Sequence, residues 1–119
     1  MARVLEIGTR KYTEVIELEK CKSGAGCLYE IGTVPVEGSR EVFANIRFQN
    51  GPIKENGTNG CHNEDLIVIV IDRLCAFQMG EFACEENDMA LRCLEEAMMW
   101  LNKRTADRVK RGVEGTNEV

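Results

Sequence analysis

The chain of 119 residues holds one histidine, two prolines and one tryptophan, and aromatic residues make up only 6% of it. Scarce histidine weighs against most metal and nucleophilic chemistry. A zinc site wants about four ligands at paired spacing, and His62 beside Cys61 falls well short of that. Cys–His catalysis would have to use the same histidine, with nothing spaced to orient it. The patterns Gly-x-x-x-x-Gly-Lys, Gly-x-Gly-x-x-Gly and Gly-x-Ser-x-Gly do not occur, so phosphate loops, dinucleotide folds and serine hydrolases lose their usual signatures. We therefore expect no metal, no cofactor and no catalytic residue. No apolar run approaches the ~18 residues of a membrane span; the longest begins at Leu66 and stops at Asp72. The opening Met-Ala-Arg-Val-Leu-Glu lacks a signal peptide's apolar stretch, so the expected place is a cytoplasm. Without a secretory signal or a Cys-x-x-Cys pair, the six cysteines read as free thiols, several of them buried as small hydrophobes. The Asn56-Gly57-Thr58 sequon then reads as coincidence.

What is present fits one small globular domain, with 44% hydrophobic and 29% charged residues. The net charge of −5 argues against bulk nucleic-acid binding, but the charge is uneven. Residues 103–111, KRTADRVKR, carry five basic side chains and one Asp, a net +4 on a remainder of −9. A compact cationic patch on an acidic protein suits a small anion better than a long polyanion.

The pattern predicts an α+β fold: a small N-terminal antiparallel sheet followed by a long helical hairpin. Residues 12–19, 27–36 and 41–49 alternate and are rich in β-branched side chains, and 3–7 can add a short strand. Turns fall at 22–26 and 37–39, and Pro35 marks an edge or a strand end. Residues 50–60, NGPIKENGTNG, form a loop long enough to be functional. The organisation is then sheet 1–49, loop 50–62, hairpin 63–112 and tail 113–119. Asn63 can cap a helix whose apolar stripe is Leu66, Ile67, Val70, Ile71 and Leu74, although the run 66–71 equally suits a buried strand. Gly80 ends it. Residues 84–111 contain no Gly or Pro and show the stripe Ala90, Leu94, Ala97, Met98 and Leu101. Met98 to Leu101 are four consecutive large apolar residues, so apolar groups point all around this helix. A helix of that kind is buried on every side, which implies a helix–helix oligomer.

Arg104 and Arg108 stand at i, i+4 on one face, a spacing at which two guanidinium forks can grip two phosphates. The plain alternative is a pair of cations placed to suit the helix dipole. Phe77 ends the first helix and Asn87 opens the second, so both lie near the hairpin turn. Phe can stack on a base and Asn can read its edge; the alternatives are a core Phe and a cap Asn. Asn87 and Arg104 are roughly 25 Å apart along a helix. One chain cannot bring both to a nucleotide-sized ligand, but two antiparallel hairpins can, giving two equivalent sites per two-fold dimer.

The segments FQNGPIKENGTNGCHNEDLIVIVIDRL and WLNKRTADRVKRGVEGT resemble the phage anti-Thoeris sponge family. That family shares a helical-hairpin domain with phage anti-CBASS cyclic-nucleotide sponges. The resemblance covers about residues 46–116, and the N-terminal sheet agrees with the longer, anti-Thoeris branch. It implies a protein of the host bacterial cytoplasm that sequesters, without cleaving, the cyclic ADP-ribose isomers (gcADPR) made by Thoeris TIR proteins. It implies pockets at a homodimer interface that use an aromatic, an asparagine and two arginines. By position these are Phe77, Asn87, Arg104 and Arg108, with Arg73, one turn before Phe77, a further candidate. Some members form hexamers and hold cyclic oligonucleotides of CBASS at separate sites, where the 56–60 loop could supply backbone N–H donors. DNA, RNA and membranes are not implied as partners. Two other readings stand beside the sponge: an enzyme that hydrolyses such signals, and a helical-hairpin protein-binding or regulatory module.

Overall fold

Alternation over YTEVIELE and CLYEIGTVPV produces a pair of long strands, β2 (Thr13–Lys20) and β3 (Gly26–Thr33). They are flanked by β1 (Arg3–Val4) and β4 (Val42–Arg47) in an antiparallel meander of order β1-β2-β3-β4. The computed structural model describes residues 2–8 and 11–119, and the chain divides into a unit ending at Cys61 and a unit from His62 to Val119. In the first unit Val15 faces Ile31, and Ile31 faces Ala44. Leu18 is passed over between the pairs Glu17–Tyr29 and Glu19–Leu28, a bulge that bends β2 toward its turn.

The turn after β2 closes with the Cys21 amide donating to the Ala25 carbonyl at 2.7 Å and Gly24 at φ 96°. It brings the Cα atoms of Cys21 and Cys27 to 4.7 Å, and the two form a disulfide. The expectation of six free thiols fails here, because a tight hairpin sets its flanking side chains at bonding distance without any Cys-x-x-Cys spacing. Cys61, Cys75, Cys84 and Cys93 are free, and the last three are exposed rather than buried.

The sheet encloses charge. Glu17 is only 2% exposed, with Lys20 Nζ at 2.8 Å and Arg3 Nε at 3.2 Å. The ammonium of Lys20, then the guanidinium of Arg3, hold its carboxyl below the usual range against the opposing effect of burial. Arg40 pairs with Glu30 and lies 3.4 Å from Glu14, which is also buried. Gly32 makes room for this arginine: a Cβ there would stand 2.8 Å from the Arg40 guanidinium carbon and 2.6 Å from the Glu41 carbonyl oxygen.

The Asn- and Gly-rich segment after β4 closes on itself. Its neck is a bridge between Phe48 and Cys61, with the Gln49 amide donating to the Cys61 carbonyl and the Cys61 amide to that of Arg47. Inside, Asn50 and Asn59 exchange two hydrogen bonds of 2.8 Å, and the Gln49 side chain donates to the carbonyls of Gly51 and Gly57. A single helical turn, α1 (Ile53–Asn56), lies within it where sequence predicted only loop; Pro52 fixes its start.

The second unit is a hairpin of α2 (Asn63–Gln78) and α3 (Glu85–Lys110). The β-branched run 66–71 is thus helical. Its N-cap is His62, one residue before the predicted Asn63, and the His62 amide donates to Asp65 Oδ2 at 2.8 Å. Across the turn the Gln78 amide exchanges two hydrogen bonds of 3.0 Å with the Cys84 backbone. Leu91 is the most buried residue of α3, and Leu94, Ala97, Met98 and Leu101 continue its covered face; Ala90, expected there, is exposed. Val68, Ile69, Val70, Met99 and Trp100 remain exposed. Among the described residues no helix is long and apolar enough to cross a membrane.

Candidate ligand site

The two ends of α3 carry different chemistry, aromatic and amide groups at one and cations at the other. At the turn end, Arg73 and Phe77 lie one helical turn apart on α2, and the Arg73 guanidinium stands 5.4 Å from the Phe77 ring centroid, a cation–π distance. Phe82, in the turn, meets Phe77 edge-on at 5.8 Å. Asn87, in the first turn of α3, donates its side-chain amide to the Phe82 carbonyl at 3.1 Å. The structure therefore gathers Arg73, Phe77 and Asn87 at one end of the hairpin. Phe82 joins them and was not singled out in the sequence, because nothing in a turn residue's spacing shows that its ring folds back.

At the other end, Trp100, Arg104 and Arg108 follow at i, i+4 and i+8 along one face of α3. They line an open groove of about 630 Å³ whose far wall is the tail, Thr116 to Val119. The tail turns back because α3 ends at Lys110 and Gly112 takes φ 75°, a left-handed conformation that closes helices. Three backbone carbonyls then converge on Arg108: Glu118 at 2.6 Å, Thr116 at 2.9 Å and Val113 at 3.0 Å. Arg111 holds the Val119 carbonyl at 2.6 Å, and Lys103 pairs with Asp107 at 3.1 Å. Of the groove's cations, Arg104 has no hydrogen-bond or ion-pair partner among the described residues; it is exposed. Arg108 thus organises the groove wall.

Asn87 and Arg104 are 17 positions apart on the continuous helix α3, about 25 Å at 1.5 Å per residue. Within one chain the turn cluster and the arginine groove do not meet. The 56–60 loop offers less to an anion than its composition suggested. The amides of Asn56 and Gly57 donate to Pro52 and Ile53, and that of Asn59 donates to the Gln49 side chain.

The helical hairpin is the feature that places the chain in a known class of domain. A family model described as the Acb2/Tad1 hairpin domain matches residues 40–106, just over half of the chain. The chain belongs to that family. The matched span takes in β4, α1, α2 and most of α3, and ends before Arg108 and the tail. A curated relative, Thoeris anti-defense 1 of Bacillus phage SBSphiJ7, is 63% identical over 85 residues, which is 71% of this chain and 60% of the relative. The chain thus spans about 60% of the length of the curated relative it matches.

Proposed function

We propose that the protein is a phage anti-Thoeris protein that binds and sequesters cyclic ADP-ribose-type immune signals (gcADPR) without cleaving them. The observation that carries this reading is Arg104, a guanidinium without a partner among the described residues, in a cationic groove on a hairpin whose relative is named for Thoeris anti-defence. A pyrophosphate takes Arg104, and base and ribose edges take the aromatic and amide groups of the turn cluster. Two hairpins packed antiparallel place the arginine groove of one chain beside Phe77 and Asn87 of the other. The exposed apolar residues Val68, Ile69, Val70 and Met99 supply the surface for that packing. A sponge needs no general acid or base; it needs slow release and a site that excludes water.

The test is to mix the protein with the product of an activated Thoeris TIR enzyme, remove the protein by filtration, heat it and weigh what is released. Intact ligand that leaves solution with the protein and returns on heating is the expected result. A changed mass makes the protein an enzyme. Ligand that never leaves solution turns attention to the same apolar surface as a protein-binding module.

A further inference from the structure

Trp100 is the only tryptophan of the chain, and its side chain is 56% exposed. Tryptophan is large and largely apolar, and it is ordinarily well covered. Here it lines the groove four residues, about 6 Å along the axis, before Arg104 on the same face of α3. That interval is the scale of a ribose between a base and its phosphate. The Arg108-held tail forms the facing wall, so the indole stands at the mouth of a groove and not on an open helix side.

We infer that Trp100 is a binding residue of this site: its indole stacks on a ring of the nucleotide whose phosphate is held by Arg104. The inference rests on the proposed nucleotide-binding function and adds to it a second aromatic contact, at the end of the hairpin opposite Phe77. The surroundings favour a ligand ring over an apolar surface of a second copy. The groove that the indole lines also bears Lys103, Arg104, Arg108 and Arg111 against Asp107 and Glu118, an excess of positive charge that an apolar surface would leave unmatched. A phosphate-bearing aromatic ring satisfies both the indole face and the charge.

A lone tryptophan also supplies its own reporter. The 119-residue chain is titrated with the purified product of an activated TIR enzyme, with indole emission and calorimetry followed in parallel. Emission should change to saturation with the calorimetric midpoint. Trp100→Leu should lose roughly tenfold or more in affinity, and Trp100→Phe should keep most of it. Circular dichroism and sedimentation of both variants check that folding and assembly are retained. Binding by calorimetry with unchanged emission, or with full affinity in Trp100→Leu, overturns the role of Trp100 and leaves the sponge reading standing. Emission that ignores the nucleotide but shifts as the oligomer is diluted overturns it in favour of a second copy covering the indole. Absence of any calorimetric binding overturns the sponge reading and this inference together.

Discussion

The two units of this chain treat their charged residues in opposite ways. In the sheet unit, carboxylates are covered and matched: Glu17 lies between Lys20 and Arg3, and Arg40 lies against Glu30 and Glu14. Even the loop after β4 consumes its own amides through Gln49, Asn50 and Asn59. In the hairpin unit the ion pairs Arg92–Asp88 and Lys103–Asp107 lie on the surface, and Arg104 lacks a partner among the described residues. A region that covers its carboxylates and sets its own cations against them is built to hold a shape. A region that leaves a guanidinium without a partner among the described residues fits the proposed binding of an anion.

Substitutions can break that contrast. Arg104→Ala should have the largest effect: ligand affinity falls more than tenfold by calorimetry, with sedimentation unchanged. Arg108→Ala should lower affinity less directly, by releasing the three tail carbonyls it holds. Hydrogen exchange at residues 113–119 should rise in Arg108→Ala and stay at the wild-type level in Arg104→Ala. In the sheet unit, Gly32→Ala should cost about 1–3 kcal/mol of stability through the clash with Arg40 and the Glu41 carbonyl, read from denaturant melts, while ligand affinity is kept.

The smallest effect concerns acid. Because the carboxyl of Glu17 titrates below its ordinary value in the folded chain, its contribution is complete above the unfolded-state value. It is lost as pH falls from the ordinary glutamate range toward the lowered one. Glu17→Gln should therefore flatten the acid limb of a melting-temperature profile and leave the neutral region less stable by a pH-independent amount.

Apart from the single turn α1, the elements of both units were legible in the sequence because they follow period and punctuation. Alternation set the three main strands, and Gly80 with the Gly- and Pro-free stretch after it set the hairpin. Buried charge was not legible. Glu14 and Glu17 fall in an alternating strand where charge ordinarily marks the solvent side, and their cations come from Arg40, Arg3 and the bulged end of β2. The disulfide was hidden for a related reason, since it depends on the turn geometry at 21–25 and not on a motif. At the site, helical arithmetic placed Arg104 and Arg108 on one face and Phe77 with Asn87 at the turn. It could not foresee that the tail folds back onto Arg108, because three carbonyls meeting one guanidinium leave no trace in residue types. Phe82 went unremarked, and Trp100 was read only as part of the apolar run 98–101, because neither residue's surroundings show in its spacing.

The central claim is that each ligand site is shared between two chains. Coexpressing Phe77→Ala chains with Arg104→Ala chains tests it most directly, because neither variant alone can form a whole site. In a mixed dimer with shared sites, the Phe77 of one chain meets the Arg104 of the other, and one of the two sites is intact. Random pairing then restores about a quarter of the wild-type binding capacity at wild-type affinity. If each chain builds its own site, every site in the mixture carries one of the two lesions, and coexpression restores no binding.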